Sequence, residues 1–290
     1  MNIAILSRGY HLYSTQSLLK EGEKRNHTME VFDPSFCRLS IQEGKPVLYY
    51  HDEKVDDLDA VIPRVGASNT YYGSSLVRHL EAMQVFSTVS AQAILDSRDK
   101  WTSFQIISKA GVAVPHTILV NPYLLEEQIA TFGKNPIIIK LLEGTHGQGV
   151  ILAKNAKEAM PIIETLHAAK QKFVLQEYIQ ESKGADIRVI VVNGVVIAAM
   201  KRQCKEGDFR SNLHRGGSSQ SLQLSREEEA VALKAAKALQ MGVCGVDILQ
   251  AERGPLVLEV NSTPGLEGIE KTTRKNISKS IIGYIERNKR

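Results

Sequence analysis

The sequence has no apolar run of membrane-spanning length, no CxxC pair, no GxGxxG after its first apolar segment, and no glycine loop ending in GKS or GKT. The first absence argues against a transmembrane helix. The opening Met1-Asn2-Ile3-Ala4-Ile5-Leu6 lacks the basic n-region of a signal peptide and reads as a strand, so a cytoplasmic protein without membrane partners is expected. Cys37, Cys204 and Cys244 are odd in number and far apart, which suits reduced thiols rather than a disulfide framework. Without a dinucleotide fingerprint or a Walker loop, two common ways of holding nucleotide phosphates are missing. Charge of one sign is scarce too: 36 Lys and Arg face 32 Asp and Glu, and a net charge of +4 gives no footprint for nucleic acid. Internal repeats and low-complexity tracts are absent.

What remains is a globular composition, 43% hydrophobic and 23% charged, over 290 residues, enough for two or three domains with cores of their own. NIAIL, a helix around Ser17 to Lys24, MEVFDP and DAVIPRVG alternate as strand, helix and strand, predicting an open, mostly parallel sheet. A helix over 74–83 and a short strand over 85–87 complete a first domain ending near residue 95. SRDKWTSFQIISKAG predicts a bridging helix with Ser97 or Asp99 as N-cap and Gly111 as its stop. Apolar strands in VAVPHTILV, NPIIIKLLEG, GVILA and KFVLQEYI, with helices near 124–131 and 156–169, predict a small α+β unit. A hairpin turning at Asn193-Gly194 and an Ala-rich helix over 227–239 lead into the last hairpin.

That last hairpin places acids among apolar residues. Val243 to Leu249 and Leu256 to Val260 flank the turn Glu252-Arg253-Gly254-Pro255, with Asp247 in the first run and Glu259 in the second. A turn centred on Arg253 sets the two acids opposite each other, and the strand period of two brings Asn261 to the same face. Two unpaired carboxylates among Val, Ile and Leu would cost several kcal/mol, so a positive charge is expected between them. Oxygen-only ligands suit magnesium or manganese, which share their shell with water and phosphate. The plain alternative is a hairpin whose acids reach solvent at its edge or pair with Lys and Arg.

Three further segments carry chemistry. Lys140 ends the run Ile137-Ile138-Ile139, directly before Glu143-Gly144-Thr145-His146-Gly147-Gln148-Gly149, where glycines let backbone N–H groups approach a phosphate; an ordinary turn explains the glycines equally well. Gln176-Glu177-Tyr178-Ile179 closes a strand and enters a linker, an edge able to face an adenine or simply a loop. Asp186 and Arg188 follow at strand spacing, as a surface ion pair would. Residues 201–219 hold Lys201, Arg202, Lys205, Arg210 and Arg215 against Glu206 and Asp208, a loop that is either solvated or binds anions. A lysine with a glycine loop, an adenine-like edge, a basic loop and an oxygen-ligand cluster together perform the tasks of phosphoryl transfer.

These segments resemble the ATP-grasp ligases, and within them the RimK branch of amino-acid ligases. MNIAILSR, DAVIPRVG, SRDK, KLLEGTHGQGV, QEYI, KEGDFRSNLHRGG, GVDIL and GPLVLEVNSTPGLEGIEKTT stand in the RimK order through nearly the whole chain, the sixth and last being the most specific. The resemblance implies an α/β ATP-grasp fold: an N-terminal pre-ATP-grasp domain over 1–95, a linker helix and central subdomain over 96–185, and a C-terminal subdomain over 186–290. It places ATP contacts on Lys140, Glu177, Tyr178, Asp186, Arg210, Ser211 and Asn212, phosphate contacts on the Gly147 to Gly149 loop, and ligands for two Mg2+ or Mn2+ ions on Asp247, Glu259 and Asn261. Arg202 and Arg210 would stabilise developing negative charge and Arg215 would grip a substrate carboxylate. The implied reaction joins L-glutamate to a carboxylate through an acyl phosphate, releasing ADP and phosphate. The implied acceptor is the C-terminus of a small-subunit ribosomal protein or a growing glutamate chain, and the implied assembly is a homo-oligomer, a tetramer. Ligation of another amino acid, such as lysine, to a carrier or small molecule is the alternative within the class, and a nucleotide-gated ribosome-binding protein the alternative outside it. Asn261-Ser262-Thr263-Pro264-Gly265 departs from the Ala-Ser that RimK-like chains often carry before this proline, a difference that bears on acceptor choice.

Overall fold

Alternating apolar strands and amphipathic helices at the N-terminus build the predicted parallel sheet. The computed structural model describes residues 1–142, 149–205 and 216–289. Strand β1 (Asn2–Leu6) is followed by α1 (Tyr13–Lys24) and β2 (Thr28–Phe32). A strand meander, β3 (Cys37–Gln42), β4 (Lys45–Tyr50) and β5 (Glu53–Val55), forms a separate antiparallel sheet that was not among the expected elements. Its strands are mostly half-buried or exposed, yet β3 alternates apolar Cys37, Leu39 and Ile41 with polar Arg38, Ser40 and Gln42. Then come β6 (Ala60–Pro63), α2 (Thr70–Ala82) and β7 (Phe86–Ser87). The order β2-β1-β6-β7, parallel throughout, makes the chain reverse its direction of winding between β1 and β6.

The bridging segment is two helices rather than one, α3 (Ala91–Arg98) and α4 (Lys100–Lys109). Asp99 between them caps α4 by accepting from the Thr102 N–H at 2.9 Å. Next lies the small α+β unit: β8 (Thr117–Leu119), α5 (Leu125–Ala130), β9 (Ile137–Leu141), β10 (Val150–Ala153), α6 (Ala156–Ala168) and β11 (Phe173–Glu177), in the sheet order β10-β9-β11-β8. One face of this sheet sends Ile137, Ile139, Phe173 and Leu175 into a small core with Ile129 and Ile163. Strand alternation aims Ile138, Lys140, Val174 and Gln176 at the other face.

The final sheet is antiparallel: β12 (Ala185–Val192) and β13 (Val195–Gln203), joined at Asn193-Gly194, then β14 (Ser218–Ser221), helix α7 (Arg226–Ala238), and the hairpin β15 (Val243–Ala251) and β16 (Gly254–Asn261). Positive φ at both Asn193 (50°) and Gly194 (70°) gives the mirror-image turn that matches strand twist. A full capping box, Ser225 with Glu228, starts α7. Helices α8 (Glu267–Thr273) and α9 (Ile277–Asn288) close the chain. Ile187, Val191 and Val246 of this sheet share one continuous core with Ile3, Ile5 and Leu76 of the N-terminal sheet and with Ile281 and Ile285 of α9. No described helix is long and apolar enough to cross a membrane. All three cysteines are free, and burial pushes the Cys37 and Cys244 thiols up to about 12, where they are inert at neutral pH.

Candidate functional site

The expected opposition of Asp247 and Glu259 is present, and it depends on a bulge. The turn is Glu252-Arg253, with Ala251 facing Gly254, not a loop centred on Arg253. Continued without interruption, that register would place Leu258 opposite Asp247. A register shift between Asp247 and Ile248 takes up one extra residue and sets Asp247 opposite Glu259 and Gly245 opposite Asn261.

The positive charge that these acids require is an arginine on the neighbouring strand. Arg188 forks onto Asp247, with Nε 2.7 Å from Oδ1 and Nη2 2.6 Å from Oδ2, and Nη2 lies 3.8 Å from Glu259 Oε1. Arg202 from β13 donates to Asp247 Oδ2 at 2.9 Å and to both oxygens of Asp186, Nε to Oδ1 at 2.7 Å. Asp186 and Arg188 are therefore not a surface pair. Asp186 is 4% exposed and bonded to Arg202, while Arg188 serves Asp247. Registers Asp186 with Arg202 and Arg188 with Asp247 across the ladder bring all four together.

Charge asymmetry follows. Burial alone would raise the Asp247 carboxyl, but the Arg188 and Arg202 guanidiniums hold it well below the usual range. Arg202 is held above its ordinary value: burial opposes its charge, and the Asp247 and Asp186 carboxylates overcome burial. Glu259, whose side chain keeps 47% of its surface open to a cleft, is pushed up by withdrawal from bulk water and by the Asp247 charge, against Arg188 and Lys140. Its Oε1 accepts from Asn261 Nδ2 at 2.8 Å.

Lys140 comes from the facing sheet. Its ammonium donates to Gln176 Oε1 at 2.6 Å, and Gln176 is fixed by its own donation to Thr117 Oγ1 at 2.8 Å. Burial pushes Lys140 down to about 8; Glu259 and Asp247 resist this and Lys100 adds to it. Lys100, in the first turn of α4, donates to the Leu142 carbonyl at 3.0 Å, beside the glycine loop, and its pKa too is lowered by burial. Gly149 holds φ at +73°, and a Cβ there would lie 2.7 Å from Leu141 Cδ1, so only glycine closes this turn. Glu177, at the end of β11, accepts from the His116 N–H at 2.6 Å and from Arg253 Nη2, and the Tyr178 N–H donates to the Pro136 carbonyl at 3.3 Å. Gly147, Arg210, Ser211, Asn212 and Arg215 lie outside the described residues.

The donor set fits a hard divalent cation. Two carboxylates lie side by side with the Asn261 amide on Glu259, and Glu259 is destabilised as an anion until a cation joins it. Arg188 and Arg202 together fill Asp247 Oδ2, which leaves Oδ1 one free lone pair for a metal. Among the described residues no group of three or more His, Cys, Asp and Glu is placed to hold an ion, so a cation at this set would keep places for water and phosphate. Three members of the site were not identified as such in the sequence: Lys100, Gln176 and Arg188 as the Asp247 partner. A glutamine inside the apolar strand KFVLQEYI was the available signal for the second. The other two needed the fold.

Comparison with known proteins gives the family and the fold. Residues 97–285 match the family described as RimK-like ATP-grasp domain, and residues 1–94 match the RimK PreATP-grasp domain. A protein of Vibrio parahaemolyticus named "Probable alpha-L-glutamate ligase" is 50% identical over 289 residues, covering 99% of this chain and 96% of that protein. The ATP-grasp ligase PsnB, solved with a phosphomimetic variant of its minimal precursor, Mg and ADP, superposes with a TM-score of 0.76 at 20% identity, covering 100% of this chain and 98% of that one. An ATP-grasp RimK domain protein of Sphaerobacter thermophilus gives 0.76 at 18% identity, covering 98% and 99%. At such identities the two structures speak for the fold, which is the expected ATP-grasp fold.

Proposed function

The chain belongs to the RimK-like ATP-grasp family and is an ATP-dependent carboxylate-amine ligase, and from that premise we propose that it joins L-glutamate to the C-terminal carboxylate of a small-subunit ribosomal protein or of a growing α-linked glutamate chain. The observation that carries the chemistry is the meeting of Lys140 from β9 and Lys100 from α4 with the Asp247, Glu259 and Asn261 set of the β15–β16 hairpin. The choice of glutamate rests on the name of relatives half identical to this chain.

In the proposed reaction an acceptor carboxylate oxygen attacks the γ-phosphorus of ATP, the bond to the ADP oxygen breaks, and an acyl phosphate forms. The glutamate amine then attacks the acyl carbon, phosphate leaves, and the amine proton passes to solvent. Lys140, aimed by Gln176, and Lys100 hold the phosphates. The Glu177-Tyr178 edge faces the base. Arg202, fixed by two carboxylates, keeps a rigid positive charge under the site. Asp186 presents its ribose-contacting role only through the lone pairs that Arg202 leaves. Asp247, Glu259 and Asn261 would hold two Mg2+ or Mn2+ ions, whose charge neutralises the transferring phosphoryl group. Arg210 and Arg215 join the anion-stabilising set by their place in the motif. Residues 1–95, 96–185 and 186–290 are the pre-ATP-grasp, central and C-terminal units of this machine, and it works as a cytoplasmic homo-oligomer.

Mass spectrometry of products tests the proposal, with ADP release followed in parallel. The pure protein is incubated with ATP, magnesium and each amino acid in turn, with and without the ribosomal protein. Mass increments of glutamate on the protein or on free glutamate are expected. ADP release with a different amino acid alone moves the chain to another donor, and no ADP release under any condition overturns the ligase reaction.

A further inference from the structure

The parallel sheet of the N-terminal domain reverses its winding between β1 and β6, and the crevice beyond the carboxyl ends of those strands is where open α/β sheets take ligands. Here Arg8, Arg64 and Arg98 gather, and among the described residues none of the three pairs with a carboxylate. Arg64 is the first residue after β6. Its backbone N–H donates to the Leu6 carbonyl at 2.9 Å, but among the described residues its guanidinium makes no hydrogen bond or ion pair. Arg98, at the end of α3, reaches the same loop, donating to the Val65 carbonyl, to the Gly66 carbonyl at 3.2 Å and to Thr70 Oγ1 at 2.8 Å. Arg8, two residues past β1, donates to Ser68 Oγ at 3.0 Å. The first turn of α2 begins in this loop, and no side chain caps it. An open cavity of about 450 Å³ adjoins, lined by Arg8, Ser35, Ser68, Asn69 and Tyr72 with Pro34.

The placement says what the crevice serves. Two residues beyond Arg98, Lys100 reaches the edge of the phosphate loop, and the Leu266 N–H, just past the metal strand, donates to Ser14 Oγ of α1 at 3.1 Å. Arg98 thus stands two residues from a lysine that reaches the reaction centre, and α1 touches the segment that follows β16. Withdrawal from water pushes the Arg64 guanidinium down to about 10, and no carboxylate among the described residues offsets this. An unpaired guanidinium at such a place stays costly until an anion arrives.

We propose that Arg64, with Arg8 and Arg98, binds a carboxylate of the acidic amino-acid substrate that is not itself being activated, so that the crevice is the substrate subsite of the ligase. This rests on the ligase reading above. Free glutamate and a glutamyl chain end present the same chemistry, and the test separates them.

Wild type, Arg64→Gln and Arg64→Lys are titrated calorimetrically with L-glutamate and, separately, with triglutamate, each with a non-hydrolysable ATP analogue and magnesium present. Arg38→Gln, at the exposed Arg38 that pairs with Asp52 at 3.3 Å, is the control. Arg64→Gln is expected to weaken one of the two ligands by about 10- to 100-fold, the range of a lost charged hydrogen-bond pair, and Arg64→Lys by less. Analogue affinity should remain unchanged, which also shows the variant to be folded. Loss confined to glutamate assigns the crevice to the incoming amino acid, and loss confined to triglutamate assigns it to the acceptor end. Equal binding by wild type and Arg64→Gln, or binding of neither ligand by wild type, overturns the proposal. ADP release by wild type is read separately, so failure of the ligase reading is not confused with failure of the subsite.

Discussion

Lys140→Met should stabilise the ligand-free protein at neutral pH while removing its grip on nucleotide. Burial is the largest influence on the Lys140 ammonium and takes it from 10.5 to about 8, with Glu259 and Asp247 resisting and Lys100 assisting. At about 1.4 kcal/mol per pH unit, that gap corresponds to a cost of ~3 kcal/mol for keeping the charge in the folded state. The cost is fully present below about pH 8. Between pH 8 and 10.5 the unfolded chain holds the proton that the folded chain has released, so wild-type stability rises with pH through that window. Methionine keeps the apolar stem and removes the charge, at the expense of the bond to Gln176, about 1 kcal/mol. A net gain of about 2 kcal/mol at pH 7 follows, a few degrees in melting temperature. Urea denaturation at pH 7 and pH 10 measures it: wild type gains stability over that interval from this residue and the variant does not. ADP affinity, measured at pH 7, should fall at least about tenfold in the variant, and in wild type should weaken as pH rises past 8. A variant less stable than wild type at pH 7, or equal pH slopes for the two, would show that the acids of β15 and β16 outweigh burial and refute the reasoning.

Glu259→Gln should abolish turnover, seen as loss of glutamate-dependent ADP release, yet change stability by no more than about 0.5 kcal/mol, because its side chain is 47% exposed. Arg202→Met should cost about 3–5 kcal/mol in denaturant midpoint analysis, since it strips Asp186, 4% exposed, of the arginine that holds both its oxygens. Unchanged stability there would show that water replaces the guanidinium. Gly242→Ala would set a Cβ 2.2 Å from the Thr88 carbonyl oxygen, so a loss of about 1–3 kcal/mol and a lower thermal midpoint are expected if the N-terminal and C-terminal sheets share one core.

Local signals carried most of the elements. The Asn193-Gly194 turn, the Asp99 cap and the Ile137-Ile138-Ile139 strand are decided within a few residues, and they appear where the pattern placed them. The sheet of β3, β4 and β5 was not expected, although its signal is local: Cys37, Leu39 and Ile41 alternate with Arg38, Ser40 and Gln42, and the turn Glu43-Gly44 takes positive φ at both residues, as Asn193-Gly194 does. The opposition of Asp247 and Glu259 was legible for a subtler reason. The two-residue turn lay half a residue from its expected centre, and the bulge at β16 made up the difference, so spacing from the turn set Asp247 opposite Glu259 as expected.

By itself the sequence determined which groups the molecule must reconcile: two acids in an apolar hairpin, a lysine before glycines, and a cation demanded between the acids. The nature of that cation was decided only by tertiary structure. Strand neighbours are set by sheet order, and β12 lying between β13 and β15 brings Arg188 and Arg202 onto Asp247 from positions 59 and 45 residues away. The same holds for Lys140, whose pKa is lowered by burial and held up by Asp247 and Glu259 more than 100 residues further along, and for Arg64, whose want of a partner exists only once β1 and β6 lie side by side. Charge and hydrogen-bonding capacity are written in each residue; which charges meet is a property of the packed chain.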